Sequence, residues 1–508
     1  MNDYECPRCG GDVPELVCTN CGAVYEHVLG VPFFGQYETA DVLSLIEIAA
    51  HVPDRDKLVM ETDLVARFDA TSEKYHAAPD KAAFVKTSCI AAGPYFLNRY
   101  NEWWTLKLLM EGLELQGREV LDMGAGQGFD SQRLALRGAR VTALEFSPLL
   151  AEAGRKGFPH LRWVGGVAHA LPFKSGSFDA VFCNAALHHM RDVSAALAEA
   201  LRVLRPGGTL ITSSDSFRAD HLSQQHELEI FDRHEAVLGG INEQIPRFDD
   251  FVRPLLENAA CLQAEVFTHI LYHGRSGLGR DLTEWTAWDL AHDAGLLARR
   301  NGTIALRVKL LKPWPQPRRV QVDGKVSPKT YVQWLDEPSA AMSRLAAILP
   351  ASYINQPFPG EPSKFDLLNG WRLPRKWARG RTAYRRGRWF LERGDKDYLS
   401  FSVKSAVAAP FSVLIDGIPV HQLAVGRRGR KAVTIDLRHI PRAQRFVVEI
   451  RRDDPTGDFD ACCFQVQDRL LHRSRLRDRI PLWFRHGRSQ RVQRPEQESC
   501  PGVVPPTR

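Results

Sequence analysis

The sequence contains no long apolar run and few cysteines. None of its apolar stretches approaches the ~20 consecutive residues that a membrane-spanning helix needs. The opening residues are acidic and no apolar segment follows them, so we expect neither a signal peptide nor a transmembrane segment. Ten cysteines in 508 residues are too few for a disulfide framework. Cytoplasm is therefore the expected compartment, because disulfide-rich chains belong to oxidising compartments.

Excess charge is also scarce over most of the chain. The formal net charge is +7, and residues 473–508 hold nine arginines against three acidic residues, which gives this tail +6. The remainder is close to neutral, and this argues against a nucleic-acid-binding surface across it. We predict that residues 471–508 form a basic disordered tail, a candidate for peripheral contact with anionic lipid or glycan.

Four of the cysteines follow a metal-binding spacing. Cys6 and Cys9 are separated by two residues and followed by glycine, and Cys18 and Cys21 repeat the pattern. The glycine lets backbone amides point at the thiolate sulfurs, and two such turns complete a tetrahedral site for zinc. Because all four ligands come from the protein, this zinc would be structural and not catalytic. We predict a zinc ribbon over residues 1–35.

A glycine-rich turn occupies residues 120–128, Val-Leu-Asp-Met-Gly-Ala-Gly-Gln-Gly. A chain that leaves a strand and enters a helix this sharply needs residues without a Cβ atom, both for the unusual backbone angles and for the close approach of a ligand. A second strand pattern ends at Glu145, 23 positions after Asp122. A carboxylate about 20 residues on suits the two hydroxyls of a ribose. These features predict a nucleoside-binding site, although a dinucleotide enzyme would show both.

Further motifs distinguish a dinucleotide enzyme from other nucleoside-binding proteins. In order they are Leu-Pro-Phe at 171–173, Ser-Phe-Asp-Ala-Val-Phe-Cys-Asn at 177–184, Leu-His-His-Met at 187–190 and Leu-Arg-Pro-Gly-Gly at 204–208. This order resembles the class I S-adenosylmethionine-dependent methyltransferases, closest to the group that includes the ubiquinone and menaquinone C-methyltransferases. The resemblance covers roughly residues 67–312. It implies an α/β fold with a Rossmann-like seven-stranded sheet, S-adenosylmethionine as the cofactor and methyl transfer as the activity.

The same resemblance implies a set of cofactor-binding residues. The glycine-rich turn would pass around the methionine part, Glu145 would hold the ribose and Phe146 would lie against the adenine. Many relatives carry an Asp four residues before the Leu-Pro-Phe motif, and the equivalent residue here is Val167. This departure shifts the expected adenine contact to the backbone near Ala168 and to His169. The cofactor-binding candidates are Asp122, Gly124, Gly126, Gly128, Glu145, Phe146, Ala168, His169 and Asn184.

His188 and His189 are the catalytic candidates. They follow the fourth strand pattern, where the family places residues that face the substrate. A sulfonium methyl group moves by in-line displacement, so the enzyme mainly aligns the acceptor and excludes water. A hydroxyl or an acidic carbon would also need a base, and histidine can serve as one near neutral pH. The alternative is that one of them caps the following helix or packs in the core.

The remaining segments are less specific. Residues 36–66 have the pattern of a helical connector, and the insertion around residues 240–243 is a candidate substrate loop. Prolines and basic residues begin a linker with a helix at 313–380. From 381 to 470 the apolar period changes to two, which predicts an accessory β-sandwich. It resembles the sandwich modules appended to enzymes of surface-glycan synthesis.

Three functions follow from these features. The first is methyl transfer to a small molecule or a sugar, in surface-polysaccharide or secondary-metabolite biosynthesis. The second is an RNA methyltransferase whose ribbon grips the RNA, because the ribbon resembles those that accompany methyltransferases as activator subunits or N-terminal fusions, including an RNA-modifying guanine methyltransferase group. The third is an inactive cofactor-binding scaffold, which Val167 favours. The near-neutral charge separates the first from the second, and the intact turn with Glu145 argues against the third.

Overall fold

The computed structural model describes residues 4–39, 41–42, 45, 109–217, 246–268, 283–286, 302–321, 324–336, 338–349, 380–384, 386–454 and 463–473. The candidate substrate loop at 240–243, nearly all of the basic tail and most of the connector predicted at 36–66 lie outside these residues. Within them, no helix is both long enough and apolar enough to span a membrane.

The described part of the chain forms two sheets, and the first has ten strands. They are β1 (Glu26–Val28), β2 (Val31–Phe34), β3 (Glu119–Met123), β4 (Arg140–Glu145), β5 (Arg162–Gly166), β6 (Phe178–Asn184), β7 (Leu204–Phe217), β8 (Leu262–Thr268), β9 (Thr283–Thr286) and β10 (Gly302–Leu310). Their order across the sheet is β1-β2-β5-β4-β3-β6-β7-β10-β8-β9.

The centre of this sheet is parallel and buried. Strands β5, β4, β3, β6 and β7 pair parallel to their neighbours, whereas β10 lies antiparallel between β7 and β8. Residues 120–123 of β3 are all buried, as expected for a strand covered on both faces. The Rossmann-like mixed α/β sheet predicted from the sequence is confirmed.

Seven strands in the order β5-β4-β3-β6-β7-β10-β8 form the predicted sheet, and three further strands are added at its edges. Strand β9 pairs beyond β8, and the β1–β2 hairpin extends the opposite edge through parallel pairing of β2 with β5. A Cβ atom on Gly165 would lie 2.2 Å from the Phe33 ring, so this glycine lets the ring lie across β5. The segment assigned to the zinc ribbon therefore covers a sheet edge that would otherwise expose unpaired backbone groups.

Six α-helices and four 3₁₀ turns whose bounds the structure describes accompany the sheets. The helices are α1 (Phe129–Leu136), α2 (Pro148–Gly157), α3 (Val193–Val203), α4 (Phe248–Glu257), α5 (Pro328–Asp336) and α6 (Pro338–Ile348). The 3₁₀ turns are Pro14–Leu16, Ala168–Ala170, Leu187–His189 and Ala259–Cys261. Asp192 caps α3, where its side chain accepts a hydrogen bond from the Ala195 N–H at 2.8 Å.

The second sheet contains eight antiparallel strands. They are β11 (Arg381–Tyr384), β12 (Arg386–Glu392), β13 (Tyr398–Ser405), β14 (Ala409–Ile415), β15 (Ile418–Val425), β16 (Arg430–Asp436), β17 (Arg445–Arg452) and β18 (Cys463–His472). Their order is β15-β14-β17-β12-β11-β18-β13-β16. Apolar side chains from all eight strands share one core, and Phe411 of β14 packs edge-on against Phe464 of β18, four strands away. The C-terminal part of the chain is thus rich in β-structure, as the alternating pattern predicted.

The described residues of 313–349, predicted as the first part of a linker, are packed against the N-terminal segment and against the C-terminal sheet. Arg318 forms an ion pair of 2.8 Å with Glu5. The Gln321 N–H donates to the Pro7 carbonyl at 2.9 Å. At the other end, the Arg445 guanidinium donates to the Leu349 carbonyl at 2.6 Å. This segment therefore contacts both the N-terminal residues and the C-terminal sheet.

Candidate cofactor and acceptor site

The glycine-rich turn joins β3 to α1 at the carboxyl edge of the sheet. The N–H groups of Gly124 and Ala125 both donate to the Leu144 carbonyl at 3.0 Å, which ties the turn to the neighbouring strand. Gly124 has a φ of +81°, and a Cβ there would lie 2.6 Å from the Cβ of Ala186. Gly126 also has a positive φ, but a Cβ there would meet no atom of the described residues within 4 Å. Among the described residues, space is thus left at Gly126, where the predicted cofactor approaches the backbone.

Asp122 and Gly128 fix the start of the helix that follows. Asp122 is 2% exposed, and its Oδ2 accepts a hydrogen bond from the Ser131 hydroxyl at 2.5 Å. Gly128 is the N-cap of α1 with a φ of +87°, and a Cβ there would lie 2.7 Å from the Trp163 ring. Both residues therefore shape the turn at the positions where the sequence placed them.

Glu145 ends β4 beside the turn, and both its carboxylate oxygens accept backbone hydrogen bonds. Oε2 accepts from the Gly126 N–H at 2.7 Å and Oε1 from the Ser147 N–H at 2.8 Å. Each oxygen keeps a second lone pair that a ribose hydroxyl can use. Burial raises the pKa of Glu145 to about 7, and the backbone hydrogen bonds from Ser147 and Gly126 oppose this shift.

The predicted adenine end lies next to Glu145. Phe146 is held by Tyr37, whose ring meets it edge-on at 5.2 Å and whose hydroxyl donates to its carbonyl at 2.7 Å. Ala168 and His169 lie in the short 3₁₀ turn that follows buried Val167. Burial and the nearby Arg191 lower the pKa of His169, which favours its neutral form. Sequence reasoning missed Tyr37, because no local pattern links residues 109 positions apart.

Asn184 connects three elements at the end of β6. Its side-chain amide donates to Asp130 of α1 at 2.9 Å, and its carbonyl oxygen accepts from the Ser213 hydroxyl of β7 at 2.6 Å. The side chain is 7% exposed. Asn184 therefore orients the turn and helix α1 relative to β7, and its predicted contact with the cofactor remains a prediction.

The two histidines differ in their surroundings. His188 is partly buried, and its Nδ1 lies 2.8 Å from Oδ1 of Asp215, whereas His189 is exposed with its ring centroid 4.1 Å from that of His188. The backbone N–H of His188 also donates to Oδ1 of Asp215 at 3.2 Å. Asp215 is completely buried in β7. The sequence did not single it out, because it comes 27 residues later in a short polar run.

The backbone beside this pair is strained. Ala185 has a φ of +51° and Ser214 a φ of +64°, a region that residues with a side chain rarely adopt. The Ser214 hydroxyl and Oδ2 of Asp215 are buried and have no hydrogen-bond partner among the described residues. Strained backbone and unsatisfied buried polar groups cluster at functional sites. The carboxyl ends of β6 and β7 are therefore the candidate acceptor site.

The four cysteines of the N-terminal segment converge. Their sulfur atoms all lie within 4.8 Å of one another, with 3.7 Å between Cys6 and Cys21 and 3.5 Å between Cys9 and Cys18. Four sulfurs around zinc at ~2.3 Å lie about 3.8 Å apart, so the arrangement fits this ion. The Tyr25 hydroxyl lies 3.0 Å from the Cys6 sulfur and can donate to a thiolate there.

Comparison with known proteins agrees with this geometry. Residues 121–212 match the family model of a methyltransferase domain, which spans the turn, Glu145 and the histidine pair. The fold and this match make the central part of the chain similar to a methyltransferase domain.

Particular relatives cover only part of the chain. A demethylmenaquinone methyltransferase of Renibacterium salmoninarum is 33% identical over 154 residues, which are 30% of this chain and 59% of the relative. A malonyl-[acyl-carrier protein] O-methyltransferase of Serratia marcescens is 33% identical over 108 residues, or 21% and 42% of the two chains. The phosphoethanolamine N-methyltransferase 2 of Haemonchus contortus, solved with S-adenosyl-L-methionine, has 17% identity, covers 41% of this chain and 52% of its own, and has a TM-score of 0.31.

The chain spans about half the length of the curated relatives it matches. These relatives carry names with different methyl acceptors, a quinone in one and a carrier-bound acid in the other. The shared region is therefore similar to a methyltransferase domain, and the names of these relatives do not agree on one methyl acceptor.

Proposed function

We propose that the protein transfers the methyl group of S-adenosylmethionine to a hydroxyl or an acidic carbon of a small molecule or sugar. When bound, the cofactor supplies an activated methyl group. The turn at Gly126, the Glu145 carboxylate and the Phe146 loop bind and orient it, and the acceptor lies at the carboxyl ends of β6 and β7.

The pair of His188 and Asp215 is the observation that carries this proposal. A hydroxyl or carbon acid must lose a proton as the methyl group moves, and a positioned histidine can take it. The contact of Nδ1 with the Asp215 carboxylate at 2.8 Å fixes the imidazole ring and leaves Nε2 as the acceptor for that proton. The buried carboxylate also stabilises the imidazolium that results. His188, and not exposed His189, is the proposed base.

We propose structural and accessory roles for the N-terminal and C-terminal parts of the chain. Cys6, Cys9, Cys18 and Cys21 hold a structural zinc ion. The C-terminal antiparallel sheet serves as a sandwich-like accessory module of an enzyme that acts in surface-polysaccharide or secondary-metabolite synthesis. The acidic and basic side chains of residues 109–217 balance one another, and the excess positive charge of the chain lies in the tail. This favours a small acceptor over RNA.

The test follows labelled methyl groups from S-adenosylmethionine into a small-molecule and glycan extract and into total RNA. We expect label in the first fraction. His188→Ala should slow this transfer by about 10²–10⁴-fold, the usual contribution of a general base. Cofactor affinity should stay unchanged. Label at a defined RNA base would show an RNA methyltransferase instead.

Asp215→Asn tests how the base is held. Loss of the negative charge lowers the pKa of a neighbouring histidine, so the acidic limb of the pH–rate profile should move to lower pH while the maximal rate falls. Asp179→Asn is the matched control, because Asp179 lies on β6 and accepts the Glu119 N–H at 2.9 Å, remote from the histidines. A pH–rate profile that Asp215→Asn leaves unmoved would refute the role of the pair.

A further inference from the structure

Tyr37 is fixed in the structure through its main chain. It follows β2 by three residues, is 2% exposed and donates its N–H to the Val326 carbonyl at 2.7 Å. Its own carbonyl accepts from the N–H groups of Lys325 and Val326 at 2.8 and 3.1 Å. The backbone of Tyr37 therefore cannot shift unless the segment that leads into α5 shifts with it.

The side chain of Tyr37 reaches from this anchor to the predicted adenosine site. Its hydroxyl donates to the carbonyl of Phe146. In the sequence, Phe146 lies between Glu145 and Ser147, and the Ser147 N–H donates a hydrogen bond to the Glu145 carboxylate. Burial raises the pKa of Tyr37 well above its usual value, and the nearby Tyr331 and Glu145 add to the shift. The hydroxyl thus remains a hydrogen-bond donor at any working pH.

A second contact ties the same segment to the loop that follows the histidines. The Arg191 guanidinium donates to the Glu38 carboxylate at 2.5 Å. Arg191 comes two residues after His189, and Glu38 directly follows Tyr37. Tyr37 and Glu38 therefore bridge the loop that carries Phe146 and the loop that carries the histidines.

We propose that Tyr37 is a positioning residue of the cofactor site, so that the N-terminal segment sets the affinity for S-adenosylmethionine. The residue holds the backbone of the Glu145–Ser147 loop, and this loop presents both the ribose-binding carboxylate and the ring against the adenine. The inference rests on the proposed function.

The chain offers a matched control for the tyrosine hydroxyl. Tyr331 belongs to the same hydrophobic cluster, is fully buried and donates its hydroxyl to the Leu45 carbonyl at 2.7 Å. Tyr37→Phe and Tyr331→Phe therefore each remove one buried hydroxyl bonded to a main-chain carbonyl. Only the first of these contacts touches the cofactor loop.

The experiment titrates S-adenosylmethionine into the full-length chain by calorimetry and measures thermal unfolding in parallel. Tyr37→Phe should raise the cofactor Kd by about three- to tenfold, the loss expected for one hydrogen bond. Tyr331→Phe should lower the unfolding temperature about as much as Tyr37→Phe does, and it should leave the cofactor Kd unchanged. In turnover assays, Tyr37→Phe should raise KM for the cofactor and leave kcat at saturation close to that of the wild type.

Two results would overturn the inference while the proposed function stands. One is a Kd in Tyr37→Phe equal to that of the wild type. The other is an equal rise of Kd in both variants, since this would show a general effect of weakened packing. A wild-type chain that binds no S-adenosylmethionine would instead overturn the proposed function, and the inference with it.

Discussion

The raised pKa of Glu145 makes cofactor affinity depend on pH. Burial raises this pKa to about 7, and the ribose hydroxyls donate to the ionised carboxylate. The protein must therefore release a proton before it binds the cofactor well. Affinity should fall as the pH drops through 7, because protonated Glu145 has lost acceptor capacity on one oxygen.

The magnitude follows from the titration of one group. With a pKa of about 7, roughly one chain in ten is ionised at pH 6 and nine in ten at pH 8, so Kd should be about tenfold higher at pH 6. Calorimetric titration with S-adenosylmethionine at several pH values measures this. The same titrations in buffers of different ionisation enthalpy should show net proton release on binding near pH 6.5.

Glu145→Gln isolates the effect. The amide cannot ionise, so the pH dependence should disappear, and affinity at pH 8 should fall because charge-assisted hydrogen bonds worth about 1.5–3 kcal/mol each are lost. A wild-type Kd that stays constant between pH 6 and 8 would refute this reasoning. So would a dependence that persists in Glu145→Gln.

Two further predictions concern the metal and the core. The purified chain should hold one zinc ion, and Cys6→Ser combined with Cys9→Ser should abolish it in elemental analysis; zinc retained at full stoichiometry would exclude the site. Glu199 and Arg202 form a buried pair at 2.8 Å, and the Leu171 N–H donates to the same carboxylate. Glu199→Ala should therefore lower the free energy of unfolding by about 3–5 kcal/mol. Lys156→Ala breaks the more exposed pair with Glu152 and should lower it by less than about 1 kcal/mol. Equal losses of the two variants in denaturant unfolding would contradict this.

Local spacing carried most of what the sequence could predict. The turn at residues 120–128 and the paired cysteines each lie within one short segment, so their backbone requirements are visible as glycine positions. The contacts of Tyr37 with Phe146 and of His188 with Asp215 join separate elements. They depend on which strands become neighbours, and no periodicity in the sequence records that.

The edge of the sheet shows the same limit. The alternation of residues 26–34 gives no sign that Phe33 lies on β5, because the feature that permits it is the absence of a side chain at Gly165, more than a hundred positions later. The tail beyond residue 473, with its candidate contact to anionic lipid or glycan, stays a prediction.

The packing of described residues of 313–349 against the N-terminal segment means that this segment cannot complete its contacts until late in synthesis. Arg318 follows its partner Glu5 by 313 positions, so at about 5–20 residues per second the ribosome delivers it roughly 15–60 s later. During this interval Glu5 and Tyr37 have emerged without Arg318 and Val326, which anchor them. A zinc ion bound by the four cysteines would keep the first segment folded through the delay, and the cofactor site would reach its final form only after the middle of the chain has left the ribosome.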